Sequence, residues 1–222
     1  MSLGLKKVLK IINNVLKLKP FNLNSIKKYK YMEPIIKTNN SWLSSSIFND
    51  LDLLTQCIDD VIPKLINRPT IKLYGKIVHQ NRNVAFFSNE SIGYKYSNKL
   101  MDSQPLTASL IRLLENINTM FNTNVNGILV NQYTNGLDYI GSHSDDETGL
   151  GNNGVISIST GANRKFRIRN KQTKKIEIDV IMTNGMILHM GGNFQNEFTH
   201  EIPIQKKITE SRLSFTFRHH IL

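Results

Sequence analysis

Short segments in which apolar and polar residues alternate make up the chain from residue 125 onward. Alternation with a period of two is typical of strands that bury one face, and Gly, Asn and Asp turn residues separate these segments. The segments read GILVNQY, GVISIST, KFRIRN, KIEIDVI, GMILHM, HEIPI and RLSFTF. Such a series predicts an antiparallel β unit that closes as a sandwich or jelly roll.

Before residue 125 the pattern is partly helical. Residues 47–66 predict a helix that ends near Pro63, and residues 105–121 predict a second helix with one apolar face. The predicted fold class is therefore α+β, with a jelly-roll core at about residues 125–222 and a helical region in front of it.

Residues 1–30 differ in composition from the rest of the chain. They hold eight of the 28 basic residues and no acid, so the other 20 bases face 17 acids and residues 31–222 carry only +3 of the net +11. Apolar residues at helical spacing from Leu5 to Leu16 predict a basic amphipathic helix that ends before Pro20. Such a helix can clamp nucleic acid, lie on an anionic membrane, serve as a targeting peptide or pack loosely on the domain. We predict a basic extension at 1–30 and a single domain at 31–222.

The composition also argues against several classes of protein. No apolar run comes near the length of about 18 residues that a membrane-spanning helix needs. Cys57 is the single cysteine, which excludes an intramolecular disulfide, and no CxxC pair suggests structural zinc. These features predict an intracellular protein, cytoplasmic or nuclear, without a secretory signal or stable membrane insertion, and we expect a monomer. The basic balance is compatible with a polyanionic partner.

A candidate metal site begins at His143-Ser144-Asp145, where two metal-ligating side chains at i and i+2 project from one strand face. Alone, this motif is weak, because a surface loop explains most isolated occurrences. His200 lies on a later predicted strand. Two histidines and one carboxylate leave three adjacent positions of an octahedral ion open, as non-haem Fe(II) oxygenases require, whereas zinc prefers a tetrahedral site. The rival ligands are His79, His189, His219 and His220, of which His189 is expected to be a core residue.

The last segment, RLSFTFR, has two very different faces. Arg212, Ser214, Thr216 and Arg218 share one face, and Leu213, Phe215 and Phe217 share the other. A buried arginine needs a partner, and a dicarboxylate matches the geometry of a guanidinium. The alternative is an exposed strand face with solvated arginines.

Taken in order, the motifs NQY, GSHSDDE, ISTGANRKFRIR, FTHEIP and RLSFTFR resemble those of the AlkB family of Fe(II)/2-oxoglutarate-dependent dioxygenases, from about Arg82 to Arg218. The resemblance implies a double-stranded β-helix (jelly-roll) core with a lid at about residues 70–104. It implies Fe(II), held by His143, Asp145 and His200, together with 2-oxoglutarate and O2 as co-substrates.

Co-substrate contacts follow from the same resemblance. Arg212 matches the residue that pairs with the distal carboxylate of 2-oxoglutarate, and Arg218 matches the second arginine of the family's R-x(5)-R. Asn131 and Tyr133 match the family's N-x-Y, whose side chains hydrogen-bond the co-substrate. Ser214 stands where the family commonly has asparagine, and its hydroxyl has a shorter reach than an amide.

The resemblance further implies oxidative removal of N-methyl lesions, of the 1-methyladenine and 3-methylcytosine type, from alkylated DNA or RNA. Succinate, CO2 and formaldehyde would be released. Glu147 matches an acidic position that accepts a hydrogen bond from a flipped base, and Phe198 an aromatic wall of the base pocket. Tyr94 and Tyr96, in YKYS near Arg82, resemble the lid sequences of animal relatives.

A basic ridge is predicted along RKFRIRN, where Lys165, Arg167 and Arg169 alternate with apolar residues. Tracking of phosphates is one function of such a ridge, with Arg167 as a substrate-binding residue. A solvated hairpin is the other reading. Two further functions stay open for the whole chain: a 2-oxoglutarate oxygenase that acts on a protein or small molecule, and a non-catalytic nucleic-acid-binding module on the same fold.

Overall fold

The structure, a computed structural model, describes residues 32–73, 75–91, 93–96, 99–145 and 154–220. Within these ranges the side chains of Leu73, Lys95, Tyr96 and Lys99 are not described. The predicted basic extension at residues 1–30 lies outside the described residues, and so does Glu147.

Strands dominate the described residues. In chain order they are β1 (Glu33–Lys37), β2 (Ser41–Ile47), β3 (Thr70–Leu73), β4 (Lys76–His79), β5 (Asn83–Phe87), β6 (Gly93–Tyr96), β7 (Lys99–Asp102), β8 (Gly127–Tyr133), β9 (Ile140–His143), β10 (Val155–Gly161), β11 (Arg164–Asn170), β12 (Ile176–Met182), β13 (Met186–Gly192), β14 (Phe198–Ile202) and β15 (Arg212–Arg218). The helices are α1 (Leu51–Val61), α2 (Ala108–Phe121) and α3 (Phe194–Glu197), and a 3₁₀ turn, Ile62–Lys64, follows α1.

Two sheets form the core of the fold. The major sheet has the order β1-β2-β13-β10-β15-β8-β5, and the minor sheet has the order β12-β11-β14-β9. Neighbouring strands in both sheets pair antiparallel. Apolar side chains from both sheets, including Leu188 and Met190 of the major sheet and Ile168 and Ile202 of the minor sheet, pack into one cluster. This two-layered arrangement confirms the predicted jelly-roll core.

The two longer helices cover the outer face of the major sheet. Asp50 caps α1 by accepting a hydrogen bond from the Leu53 amide at 3.0 Å, and Thr107 caps α2 in the same way. Their buried residues, such as Leu54 and Leu113, pack against the sheet in one cluster. The structure therefore confirms both predicted helices, with shorter bounds than the sequence pattern gave.

Strand β15 places its two faces as its alternation predicts. Leu213, Phe215 and Phe217 point into the cluster beneath the helices. The other face therefore points between the two sheets, where its residues line a polar pocket. A polar face thus lies at the centre of a fold that is otherwise held together by apolar packing.

Two hairpins, β3–β4 and β6–β7, lie outside both sheets. Tyr94 of β6 and Met101 of β7 pack on Val84, Phe86 and Leu129 of the major sheet. Within the described ranges, no helix is long and apolar enough to span a membrane.

Candidate metal centre

Strand pairing brings the three predicted metal ligands together. His143 ends β9 and lies directly opposite His200 of β14, because these strands pair antiparallel in the minor sheet. Asp145 follows His143 by two residues. One ligand atom from each of the three side chains lies within 4.8 Å of the other two. The group can therefore hold one metal ion, and two histidines with one carboxylate suit Fe(II).

A hydrogen bond orients the ring of His143. The Nδ1 of His143 lies 2.9 Å from the carbonyl oxygen of Gly141, so that nitrogen carries the proton and donates it. The Nε2 of His143 then faces the Asp145 carboxylate at 3.9 Å, and the Nε2 of His200 lies 3.6 Å from it. A histidine held through one ring nitrogen presents the other to a metal in a fixed direction.

The backbone next to the site is also fixed. The amide of Asp145 donates to the side-chain oxygen of Gln195 at 2.9 Å, and the Ser144 hydroxyl donates to the carbonyl of Phe198 at 2.9 Å. Phe166 stacks on the ring of His200, with centroids 5.1 Å apart. These contacts limit the conformational freedom of the ligand residues before a metal binds, so metal binding has less freedom to restrict.

Burial sets the protonation of the ligands. It lowers the pKa of His143, and it lowers the pKa of His200 to about 3, with the neighbouring His143 as the next cause. Burial alone would raise the pKa of Asp145, but Arg218 and the two histidines outweigh it and lower that pKa to about 2. At neutral pH the site therefore offers two neutral imidazoles and a carboxylate, which are the forms that bind a metal.

Arg218 is the main partner of the buried carboxylate. Its Nη2 donates to Asp145 Oδ1 at 2.5 Å, and both side chains are almost fully buried. On another side the guanidinium lies 4.7 Å from the centre of the Tyr94 ring. Arg218 thus connects the metal ligands to an aromatic wall of the pocket.

Loss of Arg218 is expected to weaken metal binding by about 10- to 100-fold in an Arg218→Met variant, as for other residues that orient a ligand. The pKa of Asp145 should rise, because burial would no longer be opposed by the arginine. Metal binding needs the ionised carboxylate. On acidification, the metal affinity of the variant should therefore begin to fall at a higher pH than that of the wild type. Calorimetric titration with Mn(II) from pH 7 to pH 4 measures both effects.

Arg169→Met is the matched control, because Arg169 is ion-paired with Glu201 at the surface, 3.1 Å away. It should leave the affinity and its pH dependence unchanged. Equal titration curves for Arg218→Met and the wild type would show that Arg218 does not support Asp145.

A second buried guanidinium lies farther along the same strand face. Arg212 donates from Nε to the Ser159 hydroxyl at 2.8 Å and packs on the Tyr133 ring, 5.3 Å from its centre. Burial lowers its pKa to about 10, so it stays charged at neutral pH. Its Nη1 is covered from solvent and has no acceptor among the described residues. A buried cation with an unsatisfied donor fits a carboxylate of 2-oxoglutarate.

The rest of the predicted co-substrate site lies on adjacent strands. Asn131 and Tyr133 of β8 are the cross-strand neighbours of Ser214 and Arg212 of β15. Arg82 donates from Nε to Asn131 Oδ1 at 2.7 Å. That bond directs the amide oxygen of Asn131 toward Arg82, which leaves its NH2 group as the donor for other partners.

Ten of the predicted site residues line one pocket: Arg82, Tyr94, Asn131, Tyr133, His143, Asp145, His200, Arg212, Ser214 and Arg218. The metal-ligand group and the buried arginine therefore face a common space. The side chain of Tyr96 and all of Glu147 fall outside what the structure describes.

Two predicted substrate residues do not line this pocket. Phe198, two residues before His200 on the same strand face, is a core residue whose ring packs on Phe194 at 5.0 Å. Arg167 binds Asp179 of the adjacent strand through two hydrogen bonds of 2.7 and 2.9 Å. In the predicted basic ridge, Lys165 and Arg169 are ion-paired as well, with Asp179 and Glu201 respectively.

Sequence reasoning missed two residues that support the site. Ser159 positions Arg212, and the alternation of ISIST, like that of the last strand, could have indicated it. Arg164 is fully buried and donates to the carbonyl oxygens of Asn135, Asp138 and Pro203, which fixes the chain before β9. Its position on the strand face of Phe166 and Ile168 could have indicated that it is buried.

Comparison with known proteins places this geometry in context. The sequence model of the 2OG-Fe(II) oxygenase superfamily matches residues 49–218. A "DNA oxidative demethylase ALKBH2" from Mus musculus is 26% identical over 183 residues, which cover 79% of this chain and 74% of that protein. An "alpha-ketoglutarate-dependent dioxygenase alkB homolog 3" from Homo sapiens is 33% identical over 135 residues, covering 56% of this chain and 47% of that protein.

The chain spans 56 to 74% of the length of the mammalian ALKBH2 proteins that it matches. Among solved structures, that of OsALKBH1 aligns with a TM-score of 0.51 at 17% sequence identity, and the alignment covers 84% of this chain and 100% of that one. At this level of identity the similarity supports the fold alone.

Proposed function

Because the chain belongs to the 2OG-Fe(II) oxygenase superfamily and is AlkB-like, we propose that it is an oxidative demethylase of N-methylated bases in nucleic acid. Fe(II), 2-oxoglutarate and O2 are the metal and co-substrates of this dioxygenase. The substrate class is the proposal, and relatives named DNA oxidative demethylase support it. The observation that carries it is one pocket that joins the His-Asp-His group, a buried arginine with an unsatisfied donor and the wall formed by Tyr94.

His143, Asp145 and His200 would hold the iron through two Nε2 atoms and the carboxylate. With 2-oxoglutarate and O2, bound iron would supply the oxidising power to hydroxylate an N-methyl group, and the hydroxymethyl group would leave the base nitrogen as formaldehyde. Arg218 keeps Asp145 ionised and in place. The protein's own contribution is ligation, orientation and exclusion of water.

Arg212 would bind the distal carboxylate of 2-oxoglutarate with its unsatisfied Nη1, while Ser159 and Tyr133 hold the guanidinium in position. Asn131 would donate its NH2 group to the co-substrate. Ser214 lies beside Asn131, and its hydroxyl offers one further donor with a shorter reach than an amide. Arg82, predicted to bind substrate, would act by holding the Asn131 amide.

Nucleic acid would approach across the two hairpins, which we propose form a lid at about residues 70–104 of the single domain 31–222. Tyr94 would be the wall against which a flipped base packs, because it lies next to Arg218 in the pocket. Base contacts by Tyr96 and Glu147, a role for the extension at 1–30, the monomeric state and a cytoplasmic or nuclear location stay predictions. Phe198 and Arg167 do not line the pocket, and substrate contacts by these two residues stay predictions.

Incubation of the full chain with Fe(II), 2-oxoglutarate and oligonucleotides that carry 1-methyladenine or 3-methylcytosine tests the proposal. Succinate and repaired base should form in equal amounts, and DNA and RNA in single- and double-stranded form should be compared. Turnover of 2-oxoglutarate with cell-extract protein or small molecules, but with no methylated nucleic acid, would instead support another substrate class.

A further inference from the structure

A second cavity lies beside the metal centre, between β5 and the two hairpins. Its volume is about 300 Å³. Buried apolar residues, Ile71 and Val84, form its floor, and the partly exposed Ile66 and Leu100 form part of its rim. Protein interiors contain few voids larger than a water molecule, whereas a cavity of roughly 300 Å³ has the size of a small-molecule site.

Gln80 lines this largely apolar cavity and carries an unsatisfied acceptor. The residue is 5% exposed, and its side-chain oxygen is covered from solvent and accepts no hydrogen bond from any described residue. A buried acceptor without a donor is uncommon in native proteins because it is unfavourable. The cavity is therefore suited to a largely apolar ligand that carries an N–H group.

Tyr94 separates this cavity from the metal centre and lines both. Its ring is held by Arg218, 4.7 Å from the ring centre, and by Phe86, whose ring stacks at 5.9 Å. A group in the cavity and a base beside the metal ligands would therefore be separated by a single aromatic ring. Adjacent bases of one strand can occupy such neighbouring spaces.

We propose that this cavity binds an unmethylated base next to the methylated base of the same strand, an inference that rests on the proposed function. An apolar cavity of about 150 Å³ already holds benzene, so this one has room for a purine or a pyrimidine. Each of the four bases carries an N–H donor on its pairing edge, which Gln80 can accept. Asp102, an exposed acid on the rim, repels phosphate, so the base enters and the backbone stays in solvent.

The experiment uses single-stranded trinucleotides with a central methylated base and either normal flanking bases or an abasic site on the 5′ or the 3′ side. Binding to the full chain is measured by fluorescence anisotropy with Mn(II) and without O2, so that it does not depend on turnover. Removing one of the two flanking bases should raise Kd roughly tenfold, as loss of one base–aromatic stack does.

Two variants test whether the effect arises in the cavity. Gln80→Leu removes the acceptor, and Leu100→Trp fills the rim from a side chain that is already 45% exposed. In Leu100→Trp the normal and abasic trinucleotides should bind about equally, whereas Gln80→Leu, which keeps the Tyr94 ring, should reduce the difference without abolishing it. Ile176→Trp, a matched change at an exposed residue of β12, should keep the full difference.

Equal Kd values for normal and abasic trinucleotides with the wild-type protein would overturn the inference, whether or not the protein demethylates. A difference that persists undiminished in both cavity variants would place the flanking base elsewhere and overturn it as well. A base-dependent Kd that is reduced or lost in the variants, combined with no demethylation, would support the cavity and refute only the demethylase reaction.

Discussion

Replacing His143 by alanine is expected to abolish 2-oxoglutarate turnover and to weaken Mn(II) binding by more than the roughly 10- to 100-fold that accompanies loss of a residue that only orients a ligand. The reason is geometric. Three protein atoms within 4.8 Å of one another would hold the ion, and His143→Ala removes one of the three. Calorimetric titration with Mn(II) and detection of succinate measure the two losses.

His79→Ala is the matched control for this variant. His79 is an exposed histidine of β4 whose Nδ1 contacts the carbonyl of Arg68, and it does not line the metal pocket. Its removal should change neither metal binding nor turnover. Unchanged Mn(II) affinity in His143→Ala would instead favour a non-catalytic binding module on the oxygenase fold.

The core strands could be predicted from the sequence because each buries one face, and burial of one face imposes alternation. RLSFTFR shows this most clearly, since its apolar face meets the helices and its polar face meets the pocket. The same physical rule that located the strand also indicated that its arginines are buried. The metal site followed, because side chains at i and i+2 share a face and a paired strand adds the third ligand.

Strands β1 and β2 were not predicted, and their composition explains why. SWLSSSI is rich in serine, so it shows no run of alternating apolar residues. Its strand conformation depends on pairing with β13, more than 130 residues away, where Leu43 opposes Met190. Long-range pairing of this kind leaves no local pattern in the sequence.

Cross-strand partners were the other limit of the sequence reasoning. Arg167 and Asp179 lie opposite each other in the β11–β12 hairpin, so their ion pair depends on the register of the hairpin. The sequence shows how many cations a strand carries. It does not show which of them pair with an acidic residue on the adjacent strand, because that depends on the register. Phe198 shows the corresponding limit along a strand, because it shares a strand face with His200 and yet does not line the pocket.

Arg212→Met is expected to raise the KM for 2-oxoglutarate by about 30- to 5000-fold, the range for removing one partner of a buried hydrogen-bonded charge pair. Metal binding should be retained, because Arg212 does not contact the three ligands in the described structure. Arg212→Lys should recover only part of the loss, since an ammonium group cannot make the two parallel hydrogen bonds of a guanidinium. Arg112→Met, at an exposed position of α2, is the control and should leave KM unchanged.

Thermal stability separates a co-substrate role for Arg212 from a purely structural one. Without 2-oxoglutarate, the wild-type protein buries a charged guanidinium with an unsatisfied Nη1, which opposes folding. Arg212→Met should therefore be at least as stable as the wild type in the absence of the co-substrate, and only the wild type should gain Tm when 2-oxoglutarate is added. A variant that is markedly less stable without 2-oxoglutarate would show that Arg212 serves mainly Ser159 and Tyr133. The unsatisfied Nη1 of Arg212 instead predicts that the variant keeps its stability without 2-oxoglutarate. A buried charge that is unfavourable in the free protein is retained where a ligand compensates for it.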